Sequence, residues 1–331
     1  MDIFKDRVAF TNDKLVALER HLLAELGPDR ERVLKDDTAI YVTGSGGRGE
    51  MSAASDVDLF IARISDRNSP VDAFHFQQAV ARTFHAMQLP EPSNDGQFLK
   101  VHSATSLCGL MGKPTDDTEN TLTARMLLLL ESACLPSTTP AYRKLLQRVL
   151  ASYWKDSEYV AQYQPLTLVN DIVRYWRTLI LNYVAKNADK EQARSLDAAE
   201  RRARSYKLRF SRCLTCFSML SYLLALTGTE PSVTQEHVME AVEMKPIERL
   251  HGVRTRQPTT AALVDKLVEL YGDFLAHSGV SKHELIAAFG DPDYRRARSR
   301  EASAFGDTMY DLLMELGKTD RGLYLLRYML V

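Results

Sequence analysis

The sequence predicts an α+β protein in which a small mixed unit is followed by an all-helical one. Runs typical of β-strands occur only in the N-terminal part of the chain. From about residue 140 to the end, apolar residues recur only at helical spacing. The 16 Gly and 12 Pro among 331 residues are fewer than average, which favours helices. We therefore predict two domains, residues 1–136 and 137–331.

The first helix and the two strands of the N-terminal domain follow from local patterns. Leucines recur at helical spacing over 3–26, and the Gly27-Pro28 pair ends that helix. The β-prone runs at 39–43 and 56–62 predict two strands that flank a glycine-rich segment. The sheet of this domain should therefore be built around these two strands.

The rest of the N-terminal domain alternates between helices and breaks. Helical spacing predicts a helix over 70–88, and a cluster of Pro, Asn, Asp and Gly at 90–96 predicts a turn. A third strand is expected over 98–101, and a loop over 109–120. The apolar run at 121–134 predicts a buried helix, which Pro136 ends.

Seven helices are predicted for the C-terminal domain, separated by short breaks. Their ranges are 140–163, 166–187, 190–228, 233–244, 259–277, 281–289 and 300–330, with a loop at 245–258. Asn170, Arg174 and Arg177 form a polar stripe on the second of these helices. Such a stripe either binds a nucleotide or acceptor, or is paired internally.

Charge and hydropathy exclude several classes of protein. The 42 Lys and Arg balance 43 Asp and Glu, which excludes a globally basic nucleic-acid coat but not a local basic patch. The content of 45% hydrophobic and 26% charged residues excludes wholesale disorder. The longest apolar stretch, 213–226, is too short to span a bilayer. Because the N-terminal residues also lack an apolar signal region, we expect a cytoplasmic protein without a membrane partner.

The four cysteines predict neither a disulfide framework nor a zinc site. Cys213 and Cys216 match a CxxC spacing, but a second ligand pair at suitable spacing is missing from the sequence. Both lie in an apolar run, which favours cysteines of a helical core.

The segment with the clearest chemical signal runs from Thr43 to Ile61. Gly44, Gly46 and Gly49 match the GxGxxG dinucleotide fingerprint, but residues 50–55 leave no room for the crossover helix which that fold needs. A P-loop is excluded as well, because no Gly-Lys-Ser/Thr follows the glycines.

The acids after the glycines are better explained as metal ligands. Asp56 and Asp58 should project from one face of the second strand, while Val57, Leu59 and Ile61 pack on the core. Two such carboxylates can share divalent cations, and Mg²⁺ accepts them together with waters and nucleotide phosphates. The glycines would let backbone N–H groups approach those phosphates. This layout suits nucleotidyl transfer.

The segment resembles the Pol β-like nucleotidyltransferase superfamily, in which Gly-Ser and a spacer precede an Asp-x-Asp strand. Within it, Gly44-x-Gly-Gly-Arg-Gly-Glu50 and Ser55-Asp56-x-Asp58 are most similar to the regulatory type of the PII uridylyltransferase. The resemblance covers about residues 35–135, including Leu122-Thr-Ala-Arg125. It implies a nucleotidyltransferase fold for the N-terminal domain.

The resemblance also implies roles for individual residues. Gly44 and Ser45 would hold the β- and γ-phosphates of a nucleoside triphosphate, and Asp56 and Asp58 would bind Mg²⁺ or Mn²⁺ as catalytic ligands. Ser55 would cap or orient the metal strand. Two further residues, Arg48 and Gly49, would fix the turn together with Glu50, and Arg48 would face the triphosphate.

One departure from the family concerns the third carboxylate, which is usually carried by a later strand. The expected strand, Phe98 to Ser103, contains no acid. The substitutes near it are Asp95, Asp116, Asp117 and Glu119, and His102 is an alternative base. We select Asp95 and Asp117 as further catalytic candidates, and a catalytically degenerate nucleotide-binding protein stays a second hypothesis.

Two basic runs lie in the helical domain. The run 201–212 holds six basic residues and no acid, and Arg209 and Arg212 share a helix face while Lys207 lies on another. We interpret Lys207, Arg209 and Arg212 as candidate ligands of a triphosphate or RNA, with a solvated helix face as the alternative. The second run, 293–300, is predicted to be a solvated linker.

The sequence therefore predicts a metal-dependent enzyme that moves NMP from an NTP such as ATP to a hydroxyl group. A protein side chain is the acceptor expected first, and RNA 3′ ends, as in toxin-type transferases, come second. Cyclic oligonucleotide synthesis and antibiotic modification come third. The active cleft is expected between the two domains.

Overall fold

The computed structural model describes residues 2–34, 37–66, 69–90, 100–113, 115–155, 157, 162–188 and 195–330. The protein is α+β, mostly helical, with one small mixed sheet. The chain divides into two compact units, Met1–Ser152 and Tyr153–Val331. The division lies later than the sequence-based boundary at 136, because the helix Thr139–Ala151 packs on the sheet of the first unit.

The first unit contains a four-stranded sheet and eight helices among its described residues. The strands are β1 (Thr38–Thr43), β2 (Asp58–Arg63), β3 (Val101–Ser103) and β4 (Ala133–Cys134). The helices are α1 (Ile3–Leu26), α2 (Arg30–Leu34), α3 (Gly44–Arg48), α4 (Pro70–Ala86), α5 (Ala104–Gly109), α6 (Thr115–Thr118), α7 (Thr121–Leu130) and α8 (Thr139–Ala151). The strand order is β3-β2-β1-β4, with only the β2–β3 pair parallel.

The two faces of the sheet are covered by different helices. On one face, Leu59 and Ile61 join an apolar core with α1 and α4, as their alternation along β2 predicts. On the other face, Tyr41 stacks on Phe60 with ring centroids 5.5 Å apart and contacts Tyr142 of α8 at 5.9 Å. Because both faces are covered, β1 is buried along its whole length, whereas Asp58, the first residue of β2, is half-buried at the end of its strand.

A buried ion pair holds the helices α5, α6 and α7 together. Arg125 and Asp116 are both fully buried, and the guanidinium binds both oxygens of the carboxylate at 3.0 and 2.7 Å. Arg125 also donates to the carbonyl of Leu107 at 2.8 Å, and the hydroxyl of Thr121 donates to Asp116 at 2.6 Å. The structure therefore gives Arg125 a structural role inside the unit.

The second unit is helical throughout its described residues. Its helices are α9 (Leu166–Ala188), α10 (Ser195–Lys207), α11 (Cys213–Thr229), α12 (Gln235–Glu243), α13 (Pro246–Arg256), α14 (Ala261–Ser278), α15 (Lys282–Ala288), α16 (Pro292–Leu316) and α17 (Asp320–Leu330). A π-helical turn, Leu208–Arg212, joins α10 to α11. Helix α11 is the core helix of this unit and buries Cys213 and Cys216.

One helical segment of the second unit, Ala198–Thr229, has the length and hydropathy of a membrane span. Its most apolar window is 89% buried inside the protein, as in the core helix of a folded domain.

Several local predictions differ from the structure. The helix predicted over 140–163 ends at Ala151, the helix predicted over 300–330 is divided between α16 and α17, and the loop predicted over 109–120 contains α6. Residues 245–258 are not a loop, because Pro246 at the first helical position and a capping Glu248 start α13. The run 293–300 is not a linker but the first turns of α16, which Asp291 caps. The helix predicted over 121–134 ends at Leu130, and 133–134 form β4. Strand β3 begins at Val101, later than predicted, and 91–99 lie outside the described residues.

We predict that Asp116→Asn destabilises the protein by about 3–5 kcal/mol, because the substitution leaves the Arg125 charge buried without a counter-charge. The free energy of unfolding in urea measures the effect. The matched control is Glu119→Gln, since Glu119 is exposed and forms only a 3.8 Å ion pair with Lys100. The control should cost less than about 1 kcal/mol. Equal losses in both variants would contradict the structural role of the buried pair.

Candidate functional site

The glycine-rich segment after β1 forms one helical turn instead of an open loop. Gly44 has φ +64° and Gly49 has φ +75°, both in the left-handed region that favours glycine. The turn closes through a hydrogen bond of 2.8 Å from the N–H of Glu50 to the carbonyl of Ser45. The glycines at both ends of α3 are therefore explained by backbone geometry.

Gly47 is required by a close approach of two backbone segments. A Cβ atom at this position would lie 1.8 Å from the carbonyl oxygen of Glu131. Gly46 is less crowded: its Cβ position lies 3.1 Å from the Val42 side chain. The segment thus packs directly on the chain that leads into β4.

Arg48 is buried between two carboxylates. Its Nε donates to Glu50 at 2.7 Å and its Nη1 donates to Glu131 at 2.5 Å, and all three side chains are at most 7% exposed. Arg48 therefore connects the turn to these two acids, which bind its buried side chain, whereas the sequence-based expectation placed it facing the triphosphate. Glu131 was not identified from the sequence, although a charged residue directly after the apolar run of α7 is a signal for such a partner.

Arg7 of α1 completes this charged cluster. It donates to the carbonyl of Met51 at 3.3 Å. Burial lowers the pKa of its guanidinium, and the nearby charge of Glu50 opposes that shift. The two arginines and two glutamates balance one another in charge, which allows the cluster to be buried.

Asp58 opens strand β2 and lies beside the glycine turn. It pairs in register with Thr43, the last residue of β1. A Cβ atom on Gly44 would lie 3.2 Å from Oδ2 of Asp58, so the backbone of the turn runs directly past this carboxylate. Ser45, the next residue, is half-buried. The structure thus brings together Gly44, Ser45 and Asp58.

Asp56 lies outside the strand, which begins two residues later than predicted. It is exposed, while Asp58 is half-buried. The residues before it form a turn in which the N–H of Ser52 donates to the hydroxyl of Ser55 at 2.9 Å. Ser55 therefore shapes the connection that leads into the two aspartates.

The four acids considered as the third carboxylate differ from one another in their surroundings. Asp95 and the side chain of Asp117 lie outside the described residues. Asp116 is engaged by the buried Arg125, and Glu119 is exposed beside Lys100. Asp116 is thus unsuited to the role, and Asp95 and Asp117 remain predictions.

His102 is unsuited to act as a base near neutral pH. It lies on β3 opposite Ala62, about 13 Å along the strands from the level of Asp58. Its ring is 91% buried and stacks on Phe60 at 6.0 Å. Burial, together with the charge of Lys100, lowers its pKa to about 4. The imidazole is therefore neutral at pH 7 and packed as part of the sheet face.

Asp56 does not share the strand with Asp58, so their projection from one strand face is not shown, and a magnesium site at the two aspartates stays a prediction. Within the described ranges, no group of three or more His, Cys, Asp or Glu side chains could hold a metal ion. Mg²⁺ does not need such a cage, because it commonly binds one or two carboxylates plus phosphates and waters. The half-buried Asp58 beside Gly44, with Asp56 two residues away, supplies that smaller donor set.

The three candidate cations of the helical unit differ in exposure and in the segment that carries them. Lys207 is exposed at the end of α10, whereas Arg209 and Arg212 lie half-buried on the π-helical turn. Arg209 donates to the hydroxyl of Ser303 at 3.0 Å. The π-helical turn changes the helical spacing on which the sequence-based face assignment depended.

The polar stripe on α9 is partly paired internally. Asp171 is buried, accepts a hydrogen bond of 2.8 Å from Tyr153, and forms an ion pair of 2.9 Å with Arg174. Asn170 and Arg177 are exposed on the same helix.

Comparison with protein-family models gives no match for this chain, and comparison with curated proteins gives none either.

We predict that Gly47→Ala destabilises the protein by about 3 kcal/mol or more, because the added methyl group would overlap the Glu131 carbonyl. Thermal or urea unfolding measures the change. Gly109→Ala is the matched control, since nothing lies within 4 Å of its Cβ position, and it should change stability by less than about 1 kcal/mol. A tolerated Gly47→Ala would show that the turn does not pack on Glu131.

We also predict a pH dependence that arises from His102. Its pKa lies below its ordinary value of 6.5, at about 4, so between these values the unfolded chain binds a proton that the folded chain does not. Stability is therefore lost as the pH falls through this window. Between pH 7 and pH 4.5 the loss from this residue should be about 2 kcal/mol.

Replacing His102 by Phe should remove that part of the loss, because Phe can stack on Phe60 without titrating. The free energy of unfolding at both pH values gives the difference. His85→Phe is the control on an exposed histidine and should keep the wild-type dependence. An unchanged dependence in His102→Phe would contradict the assignment.

Proposed function

We propose that this chain is a cytoplasmic, metal-dependent nucleotidyltransferase that moves NMP from an NTP to a hydroxyl group of a protein. The observation that supports the proposal is the close approach of the left-handed Gly44, whose Cβ position lies 3.2 Å from the carboxylate of Asp58 at the start of β2. It brings the glycine turn, with the Ser45 hydroxyl, next to an acid that can bind a cation. The resemblance of this segment to Pol β-like enzymes supports the same function and a nucleotidyltransferase fold for the first unit.

Asp58 and Asp56 would hold Mg²⁺ or Mn²⁺ together with the phosphates of the nucleotide. The bound cation supplies charge stabilisation at the α-phosphate and at the departing pyrophosphate. In the transfer, the acceptor oxygen forms a bond to the α-phosphorus, and the bond from that phosphorus to the bridging oxygen breaks. Pyrophosphate leaves, and the proton of the acceptor hydroxyl passes to a carboxylate, for which Asp95 and Asp117 are the candidates.

The chain's own contribution is to position the phosphates against these acids. Gly44 has no side chain between the turn and Asp58, so a phosphate can approach the backbone there. Ser45 offers a hydroxyl next to it. Arg48 acts at a distance from the substrate, because its contacts with Glu50 and Glu131 hold the turn in place. Lys207, Arg209 and Arg212 remain candidate ligands of the triphosphate in the helical unit.

A second candidate function is nucleotide binding without catalysis. The observation that favours it is the loss of Asp116 as a third carboxylate, because Arg125 already binds both of its oxygens. In this function the same Asp58 and Gly44 site would bind the nucleotide, and no NMP would be transferred.

We predict that Asp58→Asn lowers transfer of label from an α-labelled NTP by at least about a hundredfold, because the variant loses a metal-binding charge. The assay uses each NTP in turn, Mg²⁺ or Mn²⁺, and total cell protein or total RNA as acceptor. Asp66→Asn, an exposed aspartate just beyond the other end of β2, is the matched control and should retain activity. Equal melting temperatures of both variants would show that the loss is chemical.

The outcomes separate the hypotheses. Label on protein that disappears in Asp58→Asn supports the proposal, and label on RNA alone identifies the RNA-acting alternative. Nucleotide binding without any label supports the non-catalytic function. Activity that survives in Asp58→Asn would overturn the assignment of the site.

A further inference from the structure

A cavity of about 310 Å³ lies within the helical unit, between two basic segments that are far apart in the sequence. One wall comes from α10 and the π-helical turn, and the other comes from the first half of α16. The sequence suggested that each basic segment alone could be a solvated surface. Their meeting at one cavity is a property of the fold.

Five arginines line the cavity. They are Arg202, Arg209, Arg295, Arg296 and Arg298. Two of them have carboxylate partners on their own helix: Arg296 pairs with Asp293, and Arg298 donates to Glu301 at 2.5 Å. The charges of these two are therefore largely balanced.

The other three arginines keep an excess positive charge at the cavity. Among the described residues, no carboxylate oxygen lies within 4 Å of Arg202, Arg209 or Arg295. The polar contact of Arg209 is with the neutral hydroxyl of Ser303. Three guanidinium groups that line one cavity without acid partners give it an excess of positive charge, which a bound anion would balance.

Tyr206 provides an independent sign of a ligand. Its side chain lines the cavity and is 97% buried, yet its hydroxyl has no hydrogen-bond partner. Burial and the neighbouring Glu301 raise the pKa of the phenol, so it keeps its proton. Buried hydroxyls are normally hydrogen-bonded. This donor lacks an acceptor in the structure, and a ligand group that reached it would supply one.

The aromatic packing around Tyr206 makes the cavity floor rigid and partly apolar. The Tyr206 ring contacts Phe210 at 5.1 Å, Phe274 at 5.3 Å and Phe289 at 5.5 Å between centroids. Phe289 also lines the cavity. Arg209, which lies on the π-helical turn, lines the same wall as Arg202, and such turns are frequent at functional sites.

We propose that this cavity binds a small phosphate-bearing molecule no larger than a mononucleotide. Guanidinium groups bind phosphate through paired hydrogen bonds, and the Tyr206 hydroxyl adds a neutral donor. The aromatic wall accommodates an apolar or ring portion of the ligand, and the volume is at the lower end of small-molecule sites. The cavity shares Arg209 with the candidate ligands of the triphosphate but contains neither Asp56 nor Asp58, and the proposal does not depend on the transferase function.

Isothermal titration of the full chain with pyrophosphate, AMP and ATP tests the proposal. EDTA in every titration removes divalent cations and with them the metal-dependent binding expected at Asp58. Arg295→Gln should weaken binding by about tenfold or more, because it removes a charged donor. Arg300→Gln is the matched control, since Arg300 is exposed on the same helix and does not line the cavity.

Tyr206→Phe supplies a second variant that preserves the aromatic floor. We expect it to fold with an unchanged or higher melting temperature and to bind the ligand several-fold more weakly. Binding of pyrophosphate alone would identify the phosphate group as sufficient, and binding of AMP or ATP only would show that the nucleoside contributes. Absence of heat with all three probes would overturn the proposal, as would equal affinities in Arg295→Gln and the wild type.

Discussion

The buried guanidinium of Arg48 is the constraint on which the candidate site depends. It connects the turn after β1 to Glu50 at the start of the connection toward β2, and to Glu131 just before β4. A charge this deeply buried is stable only while both partners stay in place, because either acid alone would leave the cluster unbalanced. Arg48 therefore fixes the path of the chain past Asp58, and the missing side chain of Gly47 permits the contact with Glu131 that brings this acid into reach.

Local sequence patterns predicted the elements that depend mainly on residues close to one another in the sequence. Strand β1 and the apolar positions of β2 follow from alternation, and α1 follows from leucine spacing and the Gly27-Pro28 stop. The two-residue strand β4 is different, since it is defined only by its pairing with β1. Helix α13 was missed because a run of charged residues hides the few apolar positions that contact α11.

The same distinction applies to the candidate site. The spacing of Gly44, Ser45 and Asp58 is a local property, and it predicted which groups meet. Whether Asp116 can bind a metal depends on tertiary structure. Arg125 of the next helix forms a buried ion pair with it, so Asp116 is part of the core and not a ligand. The sequence identifies acidic residues that lie near the site along the chain. The ion pairs of the folded protein determine which of these acids can still bind a cation.

The basic segments of the helical unit extend this argument to electrostatics. A single basic run on a helix is usually solvated, and its sequence gives no reason to assign a ligand. Arg209 and Arg295 belong to different runs, and the aromatic packing of Tyr206 holds their helices at a common cavity. Acidic residues between such arginines would stabilise the fold, because they would balance the positive charges. A fold that instead places unbalanced arginines around an unsatisfied phenol sacrifices local stability there, and that pattern is expected where a charged ligand completes the structure.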